Sequence, residues 1–177
     1  MRGGEMNTEA GDRWRAALAE WAIPSEILEQ APENPYIHPP INFTVPNLIA
    51  DTPSHHKARE LLVDGGSVLD IGCGGGIAAM ACVPPASHLI GVDHQPEMLT
   101  MFAENAEARG ATSQVFEGFW PTIAPTVPSA DVVTAYHVVY NVPQIEEFLL
   151  GMDSHSAKRV VIEMPQRHPQ SNASAYW

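Results

Sequence analysis

Apolar residues in the central part of the chain form short runs, separated by segments with helical periodicity. Short runs rich in Val, Ile and Leu are typical of strands buried on both faces of a parallel sheet. Several helical segments open at a proline, and glycine or proline ends them. We therefore predict a three-layer α/β fold in which right-handed crossovers join mostly parallel strands. The predicted strands cover residues 67–71, 88–92, 114–117, 130–135 and 159–163, and the predicted helices about 53–62, 76–82, 96–108 and 143–150.

The N-terminal part of the chain has a different pattern. After a polar leader, apolar residues recur at helical spacing until Pro24 ends the pattern. Prolines then recur from residue 32 to residue 53 with apolar residues between them, which excludes a long helix and favours a loop that lies on the protein. We predict a helix and a proline-rich lid over residues 1–51, followed by the main domain over residues 52–177.

Composition excludes several classes of function. Asp and Glu number 21 against 9 Lys and Arg, giving a formal net charge of -12, which opposes binding to nucleic acid. The acidic excess could favour a cationic ligand, although it is more typical of a surface that resists aggregation. Two cysteines, Cys73 and Cys82, are too few for a disulfide framework. No apolar run is long enough for a membrane span or a signal peptide, so we expect a cytoplasmic protein without membrane contact.

The segment DIGCGGG, residues 70–76, joins the first predicted strand to a helix through a glycine turn. Such a turn lets the backbone approach a ligand closely beside a helix N-terminus. The dinucleotide fingerprint fails, because Ile77 occupies its third glycine position. Asp70, Gly72 and Gly74 instead resemble the D-x-G-x-G motif of class I Rossmann-like methyltransferases that use S-adenosylmethionine (SAM). The resemblance implies that Asp70 orients the glycine loop around the methionine end of this cofactor, with Gly76 beside it.

A carboxylate at the end of the second predicted strand gives an independent indication. Asp93 stands where an acidic side chain can accept hydrogen bonds from both ribose hydroxyls. The resemblance makes it the ribose ligand, with His94, Gln95 and Met98 following around the sugar and adenine. Asp93 could instead merely cap the helix that Pro96 opens.

The end of the third predicted strand departs from the family pattern. These methyltransferases often have a Gly-Asp pair there that holds the adenine amino group, whereas Gly118 is followed by Phe119. The base would then be held by backbone groups and by stacking on Phe119 or Trp120. Trp120 could equally belong to the core.

The fourth strand and its following turn, residues 131–142, match the part of the family fold that faces the cofactor and the methyl acceptor. Tyr136, His137 and Tyr140 lie at the carboxyl end of the sheet, where open α/β folds bind ligands. His137 or Tyr140 could accept a proton from the acceptor, although alignment of the reactants alone suffices in many methyltransferases. The full predicted set comprises His137 and Tyr140 as catalytic residues and Asp70, Gly72, Cys73, Gly74, Gly76, Asp93, His94, Met98, Gly118, Phe119, Trp120 and Tyr136 as cofactor-binding residues.

The pair His55 and His56 could suggest a metal site, and Cys73 could suggest redox chemistry, but the sequence supports neither interpretation. His55 and His56 are adjacent on a predicted helix and point in different directions, so we expect no metal site. Cys73 lies in the glycine loop, where we expect a small residue that packs beside the ligand.

The resemblance covers about residues 52–164, and the arrangement is similar to that of small actinobacterial-type members of the family. The family sheet has seven strands, and this chain supplies five, so strands six and seven are expected to be missing. Residues 160–162 would then lie at an open apolar edge. We expect either a shortened chain or a homodimer formed through this edge.

The resemblance implies SAM-dependent methyl transfer, and we expect a small-molecule acceptor covered by Tyr36, His38 and Phe43 of the lid. The alternative is a non-catalytic module that binds SAM or serves assembly. A nucleotide-dependent oxidoreductase is a third interpretation, which the failed dinucleotide fingerprint disfavours.

Overall fold

The computed structural model describes residues 8–32 and 37–169 and contains one five-stranded parallel sheet in the order β3-β2-β1-β4-β5. The strands are β1 (Gly66–Ile71), β2 (Ala86–Asp93), β3 (Thr112–Glu117), β4 (Ala130–Tyr136) and β5 (Ser156–Glu163). The predicted Rossmann-like α/β fold is therefore confirmed. The observed strands extend the predicted ones by one to three residues at some ends, because ladder pairing continues beyond the apolar runs.

Helices cover both faces of the sheet. They are α1 (Glu9–Trp21), α2 (Ser25–Leu28), α3 (Pro53–Arg59), α4 (Ile77–Met80), α5 (Pro96–Ala108) and α6 (Ile145–His155). One apolar core joins the sheet to α3, α4 and α5 through residues such as Ala58, Met80 and Phe102. A second core lies on the opposite face, where Phe148 and Met152 of α6 pack. The alternation of strand side chains between these two cores gives the three layers that the sequence predicts.

The N-terminal helix α1 docks on the second face of the sheet. Trp14 Nε1 donates to the Val142 carbonyl oxygen at 2.8 Å, and the Thr8 backbone N–H donates to Glu146 Oε1 at 3.1 Å. Arg15 forms an ion pair with Glu146 at 3.3 Å. The predicted division of the chain between residues 51 and 52 stays a prediction.

Strand β5 is an edge strand, which in the described residues pairs only with β4. The apolar side chains of β5 are not exposed at that edge, because they pack against the two cores. Val161 is 8% exposed in the core of the first face, and Val160 and Ile162 pack against the core of the second face. Among the described residues, the backbone groups on the side of β5 that faces away from β4 have no partner strand. The homodimer through this edge stays a prediction.

Because all five strands are parallel, their carboxyl ends lie along one edge of the sheet. This edge brings together Ile71, Asp93, Glu117, Tyr136 and Glu163, and ligands bind at such edges in open α/β folds. Within residues 8–32 and 37–169, none of the helices is both long and apolar enough to cross a membrane.

Candidate active site

The glycine loop after β1 takes a backbone path that few other residues could follow. Gly72 and Gly74 have φ angles of 67° and 50°, in the left-handed region that glycine enters freely. A Cβ atom at Gly72 would lie 2.5 Å from Val138 Cγ2, so the turn after β4 packs directly against the loop. The Gly72 N–H donates to the Val92 carbonyl oxygen at 2.8 Å, which ties the loop to the end of β2.

Asp93 is the polar centre of this edge of the sheet. Its Oδ2 accepts a hydrogen bond from the Gly74 N–H at 2.9 Å, and its Oδ1 accepts one from the Gln95 N–H at 3.0 Å. The residue is 9% exposed. His94 Nδ1 lies 3.6 Å from Oδ1, beyond hydrogen-bond distance. Each carboxylate oxygen thus accepts one hydrogen bond from the described residues and has a second lone pair that can accept one from a ligand. The Gln95 N–H precedes the first turn of α5, so the alternative that Asp93 caps this helix finds no support in its hydrogen bonds.

Asp70 lies on the core side of the loop and does not line a cavity. Thr134 Oγ1 donates to Asp70 Oδ1 at 2.8 Å, and the backbone N–H of Ala79 in α4 also faces this buried carboxyl. Burial raises the pKa of this carboxyl from 3.8 to about 7, against the opposing effect of the Thr134 hydrogen bond. Asp70 therefore contacts β4 and the core, and any effect on a ligand passes through the loop.

Two further predicted residues of the loop also face the core. Cys73 is 7% exposed, and its sulfur packs over Gly91 of β2 beside the Phe102 ring. Burial raises the pKa of the Cys73 thiol, which makes it a poor nucleophile. A Cβ atom at Gly76 would lie 2.8 Å from both Met80 Cε and Phe102 Cδ2, so Gly76 permits the close packing of α4 on α5.

Aromatic rings form the wall beyond Asp93. His94 and Phe119 stack with their ring centroids 4.8 Å apart and an interplanar angle of 18°. Phe119 is 68% exposed, so its ring is available to a ligand. Trp120, in contrast, is 8% exposed, and its Nε1 donates to the Phe148 carbonyl oxygen at 3.2 Å. Trp120 thus anchors α6 on the sheet, and it is also one of the residues that line the cavity.

The side chain of Tyr136 points away from the predicted reaction face. Its ring stacks on His55 of α3 with centroids 5.4 Å apart, and its hydroxyl is buried without a partner among the described residues. Burial raises the pKa of this hydroxyl above its usual value. His55 itself is 4% exposed, and its Nδ1 lies 3.0 Å from the Ala50 carbonyl oxygen.

His137 follows β4 in a conformation that is rare for a residue with a side chain, with a φ angle of 61°. Its N–H donates to the Glu163 carbonyl oxygen at 2.8 Å, and its Nε2 lies 3.2 Å from Glu163 Oε1. Thr52 Oγ1 donates to the other carboxylate oxygen of Glu163 at 3.4 Å. The end of β5 therefore holds His137 through both its backbone and its side chain.

These elements enclose a cavity of about 350 Å³ at the carboxyl edge of the sheet. All predicted site residues line it except Asp70, Cys73 and Gly76, although Tyr136 contributes no hydroxyl contact. His38 and Phe43 of the proline-rich segment also line it, while Tyr36 lies outside the described residues. In the described residues, no group of three or more His, Cys, Asp and Glu side chains is placed to hold a metal ion.

Sequence reasoning missed several residues of this cavity. Asn141 and Phe148 line it from the turn after β4 and from α6, and His168 lines it from the segment after β5. The His168 ring contacts Tyr140 edge-on, with centroids 5.1 Å apart. Sequence reasoning also missed Glu163, which contacts His137 from the end of β5, because no local pattern shows that β5 lies beside β4.

Comparison with known proteins identifies the family to which the chain belongs. A family model described as "Methyltransferase domain" matches residues 68–157, which is just over half of the chain. The chain belongs to this methyltransferase domain family. The match runs from β1 to the start of β5 and includes the glycine loop, Asp93 and His137.

Curated relatives of this methyltransferase domain include ribosomal protein L11 methyltransferases. The protein from Vibrio campbellii is 34% identical over 118 residues, which cover 65% of this chain and 40% of the relative. The one from Xanthomonas axonopodis pv. citri is 38% identical over 78 residues, covering 44% of this chain and 23% of the relative. The matched region thus spans less than half the length of these relatives.

Among solved structures, precorrin 8W decarboxylase from Methanobacterium thermoautotrophicum has a similar fold. The TM-score is 0.54 at 16% sequence identity, and the match covers 82% of this chain and 77% of that one. At this identity the likeness concerns the fold alone.

Proposed function

We propose that the cavity at the carboxyl edge of the sheet binds SAM and that the protein transfers its methyl group to an acceptor. The observation that carries this proposal is the Asp93 carboxylate, which is held by two backbone N–H groups and keeps one lone pair free on each oxygen. Two neighbouring ribose hydroxyls are donors of the right number and spacing for these two oxygens.

The remaining walls of the cavity also suit this cofactor. Gly72 and Gly74 line the cavity with backbone alone, so a ligand can contact the loop backbone at the methionine end. The space that a Cβ atom would take at these glycines is filled by Val138 and Phe43. The stacked pair of His94 and Phe119 offers aromatic faces to the adenine. The Gly118 N–H donates to the Asp93 carbonyl oxygen at 2.9 Å, which leaves the Gly118 carbonyl oxygen for the polar edge of the base. No carboxylate follows Gly118, so stacking takes over part of the role that an Asp has in many family members.

SAM supplies a methyl group on a positively charged sulfur, and an acceptor lone pair displaces it in line, leaving neutral S-adenosylhomocysteine. The protein then has to align the acceptor and to remove its proton if it carries one. His137 lies beside the cavity with one ring nitrogen next to Glu163, which leaves its other nitrogen available to accept a proton. Tyr140 and His168 provide an aromatic wall against which an acceptor can pack.

The acceptor in our proposal is a small molecule that enters between the turn after β4 and the segment after β5. A second candidate is a protein side chain, because the relatives reported above are named ribosomal protein L11 methyltransferases. Radiolabelled methyl transfer distinguishes the two. The protein is incubated with methyl-labelled SAM and, separately, with a library of small phenols, carboxylates and amines or with purified ribosomal protein L11.

The binding step is tested first, by isothermal titration with SAM and with S-adenosylhomocysteine. We expect both to bind with one site per chain. Label in a small product supports the first candidate, and label in L11 supports the second. Binding without transfer to any tested acceptor would support a non-catalytic module instead, and absence of binding would refute the proposal.

A further inference from the structure

Residues 38–46, which we call the strap, cross the glycine loop and are fastened at both ends. At one end the Gln95 side chain forms a reciprocal pair with the backbone of His38. Gln95 Oε1 accepts from the His38 N–H at 3.3 Å, and Gln95 Nε2 donates to the His38 carbonyl oxygen at 3.1 Å. At the other end Arg109 Nη2 donates to the Pro46 carbonyl oxygen at 2.9 Å. The two anchors flank α5, with Gln95 directly before the helix and Arg109 directly after it.

The middle of the strap lies directly on the glycine loop. A Cβ atom at Gly74 would be 2.9 Å from Phe43 Cδ1, and one at Gly75 would collide with the Phe43 carbonyl oxygen. The His38 and Phe43 rings lie with their centroids 5.8 Å apart, and both line the cavity. The strap therefore forms the wall of the cavity next to the loop, on the side of Asp93.

Asp93 connects the two places where the strap is seated. Its Oδ1 accepts from the backbone N–H of Gln95, the residue that holds His38, and its Oδ2 accepts from the N–H of Gly74, on which Phe43 packs. A ligand that binds the Asp93 carboxylate will fix the positions of both neighbours. How firmly these two contacts are held then depends on whether a ligand is bound to the Asp93 carboxylate.

We infer that the strap controls exchange of the cofactor and that Gln95 is the positioning residue that latches it. This inference rests on the proposed function, since it takes the ligand of Asp93 to be the ribose of SAM or S-adenosylhomocysteine. The latched strap slows dissociation of the ligand. If the latched strap also raises the equilibrium affinity, thermodynamic linkage requires that the bound ligand stabilise the latched strap by the same free energy.

The test uses Gln95→Leu, which removes both hydrogen bonds, and Gln95→Glu, which keeps the acceptor for the His38 N–H and loses the donor. The Gln95 side chain makes no capping bond to α5, so neither change removes a support of that helix. Gln30→Leu is the matched control, because Gln30 also donates to a backbone carbonyl, that of Glu26, away from the cavity. Two quantities are measured: the dissociation rate of S-adenosylhomocysteine by stopped flow, and amide hydrogen exchange in residues 38–46 with and without it.

We expect Gln95→Leu to speed dissociation roughly tenfold, since two exposed hydrogen bonds are lost. We also expect it to raise exchange in the strap and to remove the protection that the ligand confers there. Gln95→Glu should give a smaller effect of the same sign, and Gln30→Leu should change neither quantity. Faster dissociation with unchanged strap exchange would overturn the inference, because Gln95 would then act by direct contact. Faster exchange with unchanged dissociation would overturn it too. If the unaltered protein binds no S-adenosylhomocysteine, the proposed function fails and the inference falls with it.

Discussion

The buried carboxyl of Asp70 predicts an unusual dependence of stability on pH. Its pKa is about 7 in the folded protein against an ordinary value of 3.8, mainly because burial disfavours the charged form. The stabilisation from the neutral carboxyl is fully present below pH 3.8 and is lost as the pH rises through 7. Since one pKa unit corresponds to about 1.4 kcal/mol, the full loss is roughly 4 kcal/mol in the free energy of unfolding.

Asp70→Asn removes this titration and keeps an oxygen for the hydrogen bond from Thr134. The free energy of unfolding of the variant, relative to the unaltered protein, should therefore increase by roughly 3 kcal/mol between pH 5 and pH 8. Urea unfolding followed by circular dichroism at several pH values measures this difference. The slope against pH is the quantity of interest, because a constant offset from the new amide group does not affect it.

Asp131→Asn is the matched control for this measurement. Asp131 starts β4 at the opposite edge of the sheet, and a hydrogen bond from Lys158 lowers the pKa of its carboxyl. The stabilisation from Asp131 is therefore present above its unfolded pKa and lost only as the pH falls through the lowered value. The loss of unfolding free energy caused by Asp131→Asn should therefore be constant between pH 5 and pH 8. A flat difference for Asp70→Asn as well would show that the Asp70 carboxyl ionises at its ordinary pKa, and the argument from burial would be wrong.

Three other predictions concern the loop, the core and the edge. Gly74→Val should abolish binding of S-adenosylhomocysteine in a titration, because the valine side chain would meet Phe43. The control Gly110→Val introduces similar backbone strain where no other atom is near, so it should leave the affinity unchanged. Trp120→Phe should lower the free energy of unfolding by about 1 kcal/mol, because it removes the hydrogen bond to the Phe148 carbonyl oxygen. Its affinity for S-adenosylhomocysteine should stay within twofold of that of the unaltered protein, and a large loss of affinity would make Trp120 a ligand-binding residue. The backbone edge of β5 should support a dimer at micromolar concentration, which light scattering after size exclusion measures, and a stable monomer would contradict that expectation.

The parts of the fold that follow from local patterns could be predicted from the sequence. The apolar run before Asp70 and the one before Asp93 identify β1 and β2, because strands buried on both faces need no polar alternation. Their parallel pairing then places the glycine loop next to Asp93, and the 2.9 Å bond between Gly74 and Asp93 follows from that placement.

Other features depend on packing that no local pattern records. Trp120 and Phe119 are neighbours in the sequence, yet one is buried under α6 and the other is exposed, because the turn at Gly118 sends them in different directions. Side chains alternate between the two faces of β4, and Tyr136 is one of those that face the core containing α3, which sets its direction. The contact of Glu163 with His137 requires β5 to lie beside β4, which only the strand order decides.

The central claim is that Asp93 holds the ribose of SAM, and one titration tests it most directly. S-adenosylhomocysteine is titrated calorimetrically into the unaltered protein and into Asp93→Asn, with Asp131→Asn as a control for the same change away from the cavity. Loss of one charge-assisted bond costs roughly 1.5–3 kcal/mol, so we predict an affinity at least about tenfold weaker for Asp93→Asn and an unchanged affinity for Asp131→Asn. Circular dichroism should show that all three proteins are folded. Equal affinity of Asp93→Asn and the unaltered protein would contradict the account.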